Sequence, residues 1–229
     1  MAEDRVQRRL AAILAADVVG YSRLTELDEV GTLAALKSRR REIVQPLVVR
    51  HQGRVFKVTG DGIMVEFGSA VNAVQCAIDL QQAMTDAARQ QPEDRRIVLR
   101  IGINLGDVVV ERGDLYGDGV NIAARLETAA DPGGIYISGT AYDQVRNKFE
   151  TAFEELGEKS LKNIGAPVRV YRVSGLVRLP IASAAVSGDR PSIAVLPLEE
   201  RARRRQLPSS RYCTPSSRPA RCTSTSWPR

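Results

Sequence analysis

The stretch from Arg54 to Phe67, RVFKVTGDGIMVEF, constrains the fold more than any other part of the chain. Residues 54–58 and 63–67 are rich in β-branched and aromatic side chains interrupted by single charges, which is the signature of strands. Between them, Thr59-Gly60-Asp61-Gly62 is a tight turn by composition. The segment therefore reads as a β-hairpin with an aspartate at its tip.

The flanking sequence supplies the rest of a sheet and its cover. Residues 10–19 form a short apolar run that reads as a buried strand and carries Asp17 near its end. Residues 24–49 place Leu33, Leu36, Ile43 and Leu47 at helical spacings, with Pro46 expected to kink that helix. Gly53 breaks it, and His51, in a polar His-Gln-Gly turn, reads as a capping or solvent residue. A second helix is expected after Ser69 as N-cap, with Val71, Val74, Ile78, Leu80 and Met84 as its apolar positions and Cys76 in the core. Residues 97–110 read as a long strand bent at Gly102 or Gly106, followed by a loop at Arg112-Gly113-Asp114 and a helix over 119–130. Pro132-Gly133-Gly134 stops that helix. A strand at 135–138, a short helix at 140–149 and strands at 153–156 and 168–173 complete the body. The pattern predicts an α+β fold, an α/β sandwich in which a mixed sheet is covered by helices.

Charge and composition divide the chain. The formal net charge is +6, yet residues 201–229 hold eight arginines, no lysine and no acid, so the first 200 residues carry −2. The basic character belongs to the tail, which argues against a specific nucleic-acid binder. We expect an N-terminal arm at 1–9, a folded domain at 10–174, and a linker with a disordered basic tail at 175–229, where Arg, Ser, Pro and Thr dominate. The abrupt change near residue 199 is what a shifted reading frame would produce; resequencing the locus tests it. No apolar run reaches the ~20 residues of a membrane span, and the N-terminus lacks a signal-peptide core, so a cytoplasmic location is expected. The three cysteines show no metal-ligand spacing and imply no disulfide.

Asp17, in AADVVGYSRL, and Asp61, in KVTGDGIMVEF, both stand at strand ends beside glycine. If the strand at 10–19 lies next to the hairpin, the two carboxylates converge. Paired carboxylates suit hard divalent cations such as Mg²⁺, and adjacent glycines let phosphate approach the backbone. Asp-Gly is also a common turn former, which is the competing explanation.

These two segments, with GDLYGDGVNIAARLE, resemble the catalytic domain of class III adenylate and guanylate cyclases. The three motifs occur in the family's order. The resemblance implies a ferredoxin-like cyclase core with a mainly antiparallel sheet, and two Mg²⁺ or Mn²⁺ ions held by Asp17, Asp61 and the Val18 carbonyl. It assigns Lys57 and Asp114 to purine selection, where lysine and carboxylate suit adenine; guanylate-type members resemble Glu and Cys there. Asn121 and Arg125 match the transition-state pair, and their i, i+4 spacing puts both on one helix face, though solvated faces show the same spacing. Lys162 resembles the lysine that holds the terminal phosphates. One departure is Asp107, which stands where some relatives have a phosphate-binding arginine.

The implied reaction is closure of ATP into 3′,5′-cyclic AMP with release of pyrophosphate. The 3′-hydroxyl proton would leave through Asp17 or a water. The family builds its sites between two catalytic domains, so a homodimer with two shared sites is expected. The alternatives are a guanylate cyclase, separated by ATP against GTP turnover, and a catalytically silent dimerisation module.

Overall fold

A central strand buried on both faces sets the architecture. Strand β1 (Gln7–Val18) has every residue from Ala11 to Ala16 buried. Ala12, Leu14, Ala16 and Val18 enter one hydrophobic core, and Ala11, Ile13 and Ala15 enter another. The period of two along a strand sends neighbours to opposite faces, so a run apolar throughout needs cover on both sides. The computed structural model describes residues 7–174 except Arg112 and Thr151. The basic tail, with its expected disorder and shifted frame, lies outside the described residues, as do residues 1–6.

The other strands are β2 (Gly53–Thr59), β3 (Gly62–Phe67), β4 (Leu99–Glu111), β5 (Asp114–Tyr116), β6 (Ile135–Ser138), β7 (Ala152–Lys159) and β8 (Val168–Ser174). They form one eight-stranded sheet in the order β2-β3-β1-β4-β6-β8-β7, with β5 paired to β4. Every pairing is antiparallel except β4 with β6. The expected α+β class with a mixed, mainly antiparallel sheet is what the chain adopts. Strand β1 starts three residues earlier than its apolar run, because Gln7, Arg8 and Arg9 still pair with Val110, Val109 and Val108. Asp114, expected in a loop, begins β5.

One face is covered by α1 (Tyr21–Leu27), α2 (Glu29–Arg39), α3 (Gln45–Arg50), α4 (Ala70–Ala88) and α6 (Gly139–Val145), whose buried residues share a core with Leu14, Val65, Ile101 and Ile137. Helix α5 (Asp118–Ala129) lies on the other, where Val120 and Ala123 pack on Ala11, Ile13 and Ala15. Cys76 is fully buried in α4, as its apolar neighbours suggest. Ser69 holds the N-cap position of α4, but its side chain makes no capping bond.

Two readings need correction. The single helix expected over 24–49 is three helices. Asp28 adopts an extended backbone that ends α1, and its carboxylate accepts a 2.8 Å bond from the Gly31 N–H at the start of α2. A π-helical turn, Arg40–Val44, then runs into α3 through helical backbone at Val44 and Gln45, and this wider turn stands just before Pro46, which has no N–H to donate to it. His51 is buried rather than solvated: its Nε2 lies 3.0 Å from Asp79 Oδ2 inside the molecule, and Gln75 Nε2 donates to Asp79 Oδ1 at 3.2 Å. The polar turn hid a partner on α4, far along the chain.

Gly102 of β4 is where α5 presses on the sheet. A Cβ there would collide with the backbone of Ala123 and Glu127. Gly102→Ala is therefore expected to destabilise the fold by about 3 kcal/mol, since neither backbone can retreat without lifting the helix. Urea denaturation checks this, and a midpoint unchanged from the parent would show that α5 yields freely.

Candidate active site

The order of the sheet places Asp17 and Asp61 at the same end. β2 and β3 pair through Thr59 and Gly62, leaving a two-residue turn, Gly60-Asp61. Gly60 has φ 60°, and among the described residues Asp61 is not one of the non-glycine positions of positive φ, the pattern of a type II′ hairpin turn. Asp17 lies one residue beyond the last β1–β3 pair, Ala16 with Ile63. A Cβ on Gly62 would sit 3.5 Å from Asp17 Oδ1, so that oxygen faces the hairpin.

The Asp61 carboxyl lies beside that of Asp17, with the backbone N–H groups of Val18 and of Asp61 itself favouring its charged form. Its pKa is raised, first by burial and then by the Asp17 carboxyl beside it. Two ionised carboxyls this close repel each other, and a nearby cation relieves that repulsion, so the pair fits a cation. Among the described residues no group of three or more His, Cys, Asp or Glu is arranged to hold a metal. An ion here would rest on two carboxylates and backbone oxygen, with its other ligands from outside the protein.

Three further residues shape this end of the sheet. Arg100, directly across from Asp17 in the β1–β4 register, places Nη2 3.0 Å from Asp17 Oδ2 and 3.3 Å from Glu127 Oε1. The Glu127 carboxyl is pushed up to about 7, chiefly by burial and then by the Asp17 charge, with Arg100 opposing. Arg40, from the π-helical turn, donates to the Gly60 carbonyl at 2.6 Å and ties down the turn that carries Asp61. Spacing alone did not reveal these. The signal for Arg100 was a lone charge in the apolar strand Leu-Arg-Ile-Gly-Ile, and for Glu127 its place two residues after Arg125.

A second group forms where β5 approaches β2. The β2–β3 register shifts between Val55 and Lys57, a bulge that re-aims the Lys57 side chain. Lys57 Nζ lies 5.9 Å from the centre of the Tyr116 ring, and Tyr116 Oη donates to Asp114 Oδ2 at 3.4 Å. Arg54 Nη1 closes the approach with a 2.9 Å bond to the Gly113 carbonyl. Lys57 and Asp114 thus meet around one aromatic ring.

The remaining candidates stand apart from the aspartates. Helix α5 starts over Gly106 and Asp107, where Asn104 Nδ2 donates to the Gly119 carbonyl at 2.9 Å. Asn121 lies toward that end, six residues or about 9 Å along α5 from Glu127 at ~1.5 Å per residue. Arg125 is two residues from Glu127, about 200° around the helix, so it turns away as Glu127 faces Asp17. Lys162 is exposed in the β7–β8 connection. Since β8 runs in the direction of β1, a residue preceding β8 lies at the end of the sheet opposite Asp17. Asp107 is exposed and pairs with Arg8 at 3.2 Å, on a cleft of about 480 Å³ that opens beside Gly117 and Gly119. One protomer therefore unites Asp17, Val18 and Asp61, and separately Lys57 and Asp114, and keeps Asn121, Arg125 and Lys162 away from its own aspartates.

A family model described as the adenylate and guanylate cyclase catalytic domain matches residues 6–175. The chain belongs to that family. The chain is 54% identical over 205 residues to "Putative adenylate cyclase 3" of Rhizobium meliloti, covering 87% of this chain and 35% of that one. It is 32% identical over 153 residues to an adenylate cyclase of Streptomyces coelicolor, with 66% and 38% covered. The chain thus spans little more than a third of the curated relatives it matches. Among solved structures, the adenylate/guanylate cyclase/hydrolase from Silicibacter pomeroyi superposes with a TM-score of 0.70 at 43% identity, over 74% of this chain and 99% of that one. The adenylyl cyclase CyaB from P. aeruginosa does so at 0.67 and 26%, over 76% and 97%. No helix among the described residues of the cyclase domain is long and apolar enough to cross a membrane.

Proposed function

We propose that the cyclase domain is an adenylate cyclase that closes ATP into 3′,5′-cyclic AMP and pyrophosphate at sites shared by two copies of the chain. The observation that carries this reading is the pair of facing carboxyls, Asp17 and Asp61, on one end of the sheet. Two divalent ions, Mg²⁺ or Mn²⁺, held by Asp17, Asp61 and the Val18 carbonyl, would supply activation of the 3′-hydroxyl and neutralisation of the departing phosphates.

The side chains do the rest. Lys57 donates to adenine N1, and Asp114 accepts from the exocyclic amino group; the contact of both with Tyr116 supports their acting together. Asn121 orients the ribose. Arg125, on the same face of α5, holds the charge that grows on the α-phosphate. Lys162 anchors the terminal phosphates. The 3′-oxygen bonds to the α-phosphorus as the bond from that phosphorus to the bridging oxygen breaks. The 3′-hydroxyl proton passes to Asp17 or to water, and pyrophosphate carries off the electron pair.

The separation within one protomer supports a homodimer. One copy gives Asp17, Val18 and Asp61; the other gives Lys57, Asp114, Asn121, Arg125 and Lys162. A twofold axis makes both sites identical.

Substrate choice is the direct test. The parent is expected to turn over ATP well ahead of GTP. Lys57→Glu combined with Asp114→Cys reverses the donor and acceptor pattern, and is expected to shift the ATP-to-GTP ratio of kcat/KM by roughly 10²-fold toward GTP. A parent that prefers GTP would replace the adenine reading with a guanine one. Loss of both activities with no shift in ratio would remove these two residues from base recognition.

A further inference from the structure

We infer that Arg100 is a built-in counter-cation that divides the acidic cluster at the end of β1, withholding Glu127 and one Asp17 oxygen from divalent metal in the nucleotide-free protein. This rests on the reading of Asp17 and Asp61 as metal carboxylates, and gives that site a gate of its own. Asp17 presents two oxygens with different neighbours. Oδ1 faces the hairpin that carries Asp61, whereas Oδ2 is taken by Arg100 Nη2 at 3.0 Å. The same nitrogen lies 3.3 Å from Glu127 Oε1, and Arg100 Nη1 reaches the Thr128 carbonyl at 3.4 Å. The guanidinium, carried by β4, thus bridges the end of β1 and the last turn of α5.

Bonds to Asp17 Oδ2 and to the Thr128 carbonyl hold this bridge, but they do not satisfy all of its polar atoms. Among the described residues, Arg100 Nε and Glu127 Oε1 are both buried and neither makes a hydrogen bond. Buried polar atoms left this way are costly, and an arrangement that keeps two of them side by side is poised to rearrange. Without Arg100, the Glu127 carboxylate would add its charge to the field of Asp17 and Asp61, both of which it already feels. More negative charge beside the ion's place strengthens the hold on a divalent cation even where Glu127 is not itself a ligand. With Arg100 present, one carboxylate is neutralised and a positive charge stands beside the ion's place. Metal then binds well only when a nucleotide brings its own phosphate oxygens.

The test is titration of the full chain with Mn²⁺ alone, followed by electron paramagnetic resonance of free Mn²⁺. Arg100→Gln is expected to tighten Mn²⁺ binding by about tenfold or more without nucleotide, the scale of removing one unit charge a few ångströms away. Adding Glu127→Gln to it should return the affinity to near that of the parent. A folded Arg100→Gln chain that binds Mn²⁺ no tighter than the parent overturns the inference. If Arg100→Gln does not fold, Glu127→Gln serves instead: it leaves Arg100 to Asp17 alone and should weaken Mn²⁺ binding about threefold, while unchanged or tighter binding overturns the idea. The parent with a non-cyclisable ATP analogue provides the control for the underlying reading. There Asp61→Ala should abolish Mn²⁺ binding; if it does not, the metal assignment has failed and the gate falls with it.

Discussion

Replacing Asp61 by alanine is expected to cut cyclic AMP formation by roughly 10³-fold, the scale of one lost charge contact in phosphoryl transfer, while the chain stays folded. The fold survives because the turn does not depend on the aspartate. Its backbone is set by Gly60 at φ 60° and pinned by Arg40 on the Gly60 carbonyl. Removing the carboxyl also removes an acid that sits half-buried against Asp17. Stability should therefore hold or rise slightly. The measurement is cyclic AMP production at saturating ATP and Mn²⁺, with thermal unfolding followed alongside. Activity within tenfold of the parent would take Asp61 out of the chemistry.

The second large effect is a recovery. Asp17→Ala and Arg125→Ala chains are each expected to lose roughly 10³-fold in activity. An equimolar mixture should regain roughly a quarter of the parental rate, because half of the dimers are mixed and each of those has one intact site of two. A mixture of Asp17→Ala with Asp61→Ala should regain nothing, since both lesions fall on the same half of the site. That contrast separates a shared site from a general rescue of folding. Failure of the first mixture to recover would mean that Asp17 and Arg125 serve one site within one chain, against the geometry of α5.

The hairpin was legible because its signals are local: two strand-forming runs around a glycine-flanked turn, with every determinant within fourteen residues. The class of fold followed from the same kind of signal, repeated along the chain. What could not be read was whatever depended on a distant partner. His51 looked solvated because Asp79, which pairs with it inside the molecule, lies 28 residues further along the chain, on the far side of the hairpin. Arg100 drew no reading as a single charge in an apolar strand, and only the register of β1 against β4 sets it across from Asp17. The break at Asp28 was written in a favourable N-cap residue, yet the apolar spacing carries through it and suggested one helix. For the site, the motif resemblance named Asp17, Asp61, Lys57, Asp114, Asn121, Arg125 and Lys162. The resemblance also implied that Asp17 and Asp61 serve one site while Lys57, Asp114, Asn121 and Arg125 serve the partner's, and the sheet directions, which put Asp17 and Asp61 at one end and Lys162 at the other, fit that division.

On the proposed shared-site reading, that separation makes the abundance of the protein a control variable. A chain that cannot assemble its chemistry from its own two ends is silent when scarce. Below the concentration at which copies pair, output should rise with the square of the number of chains, and above it only in proportion. A modest change in expression near that threshold would therefore change second-messenger output by more than its own factor, with no ligand or modification needed.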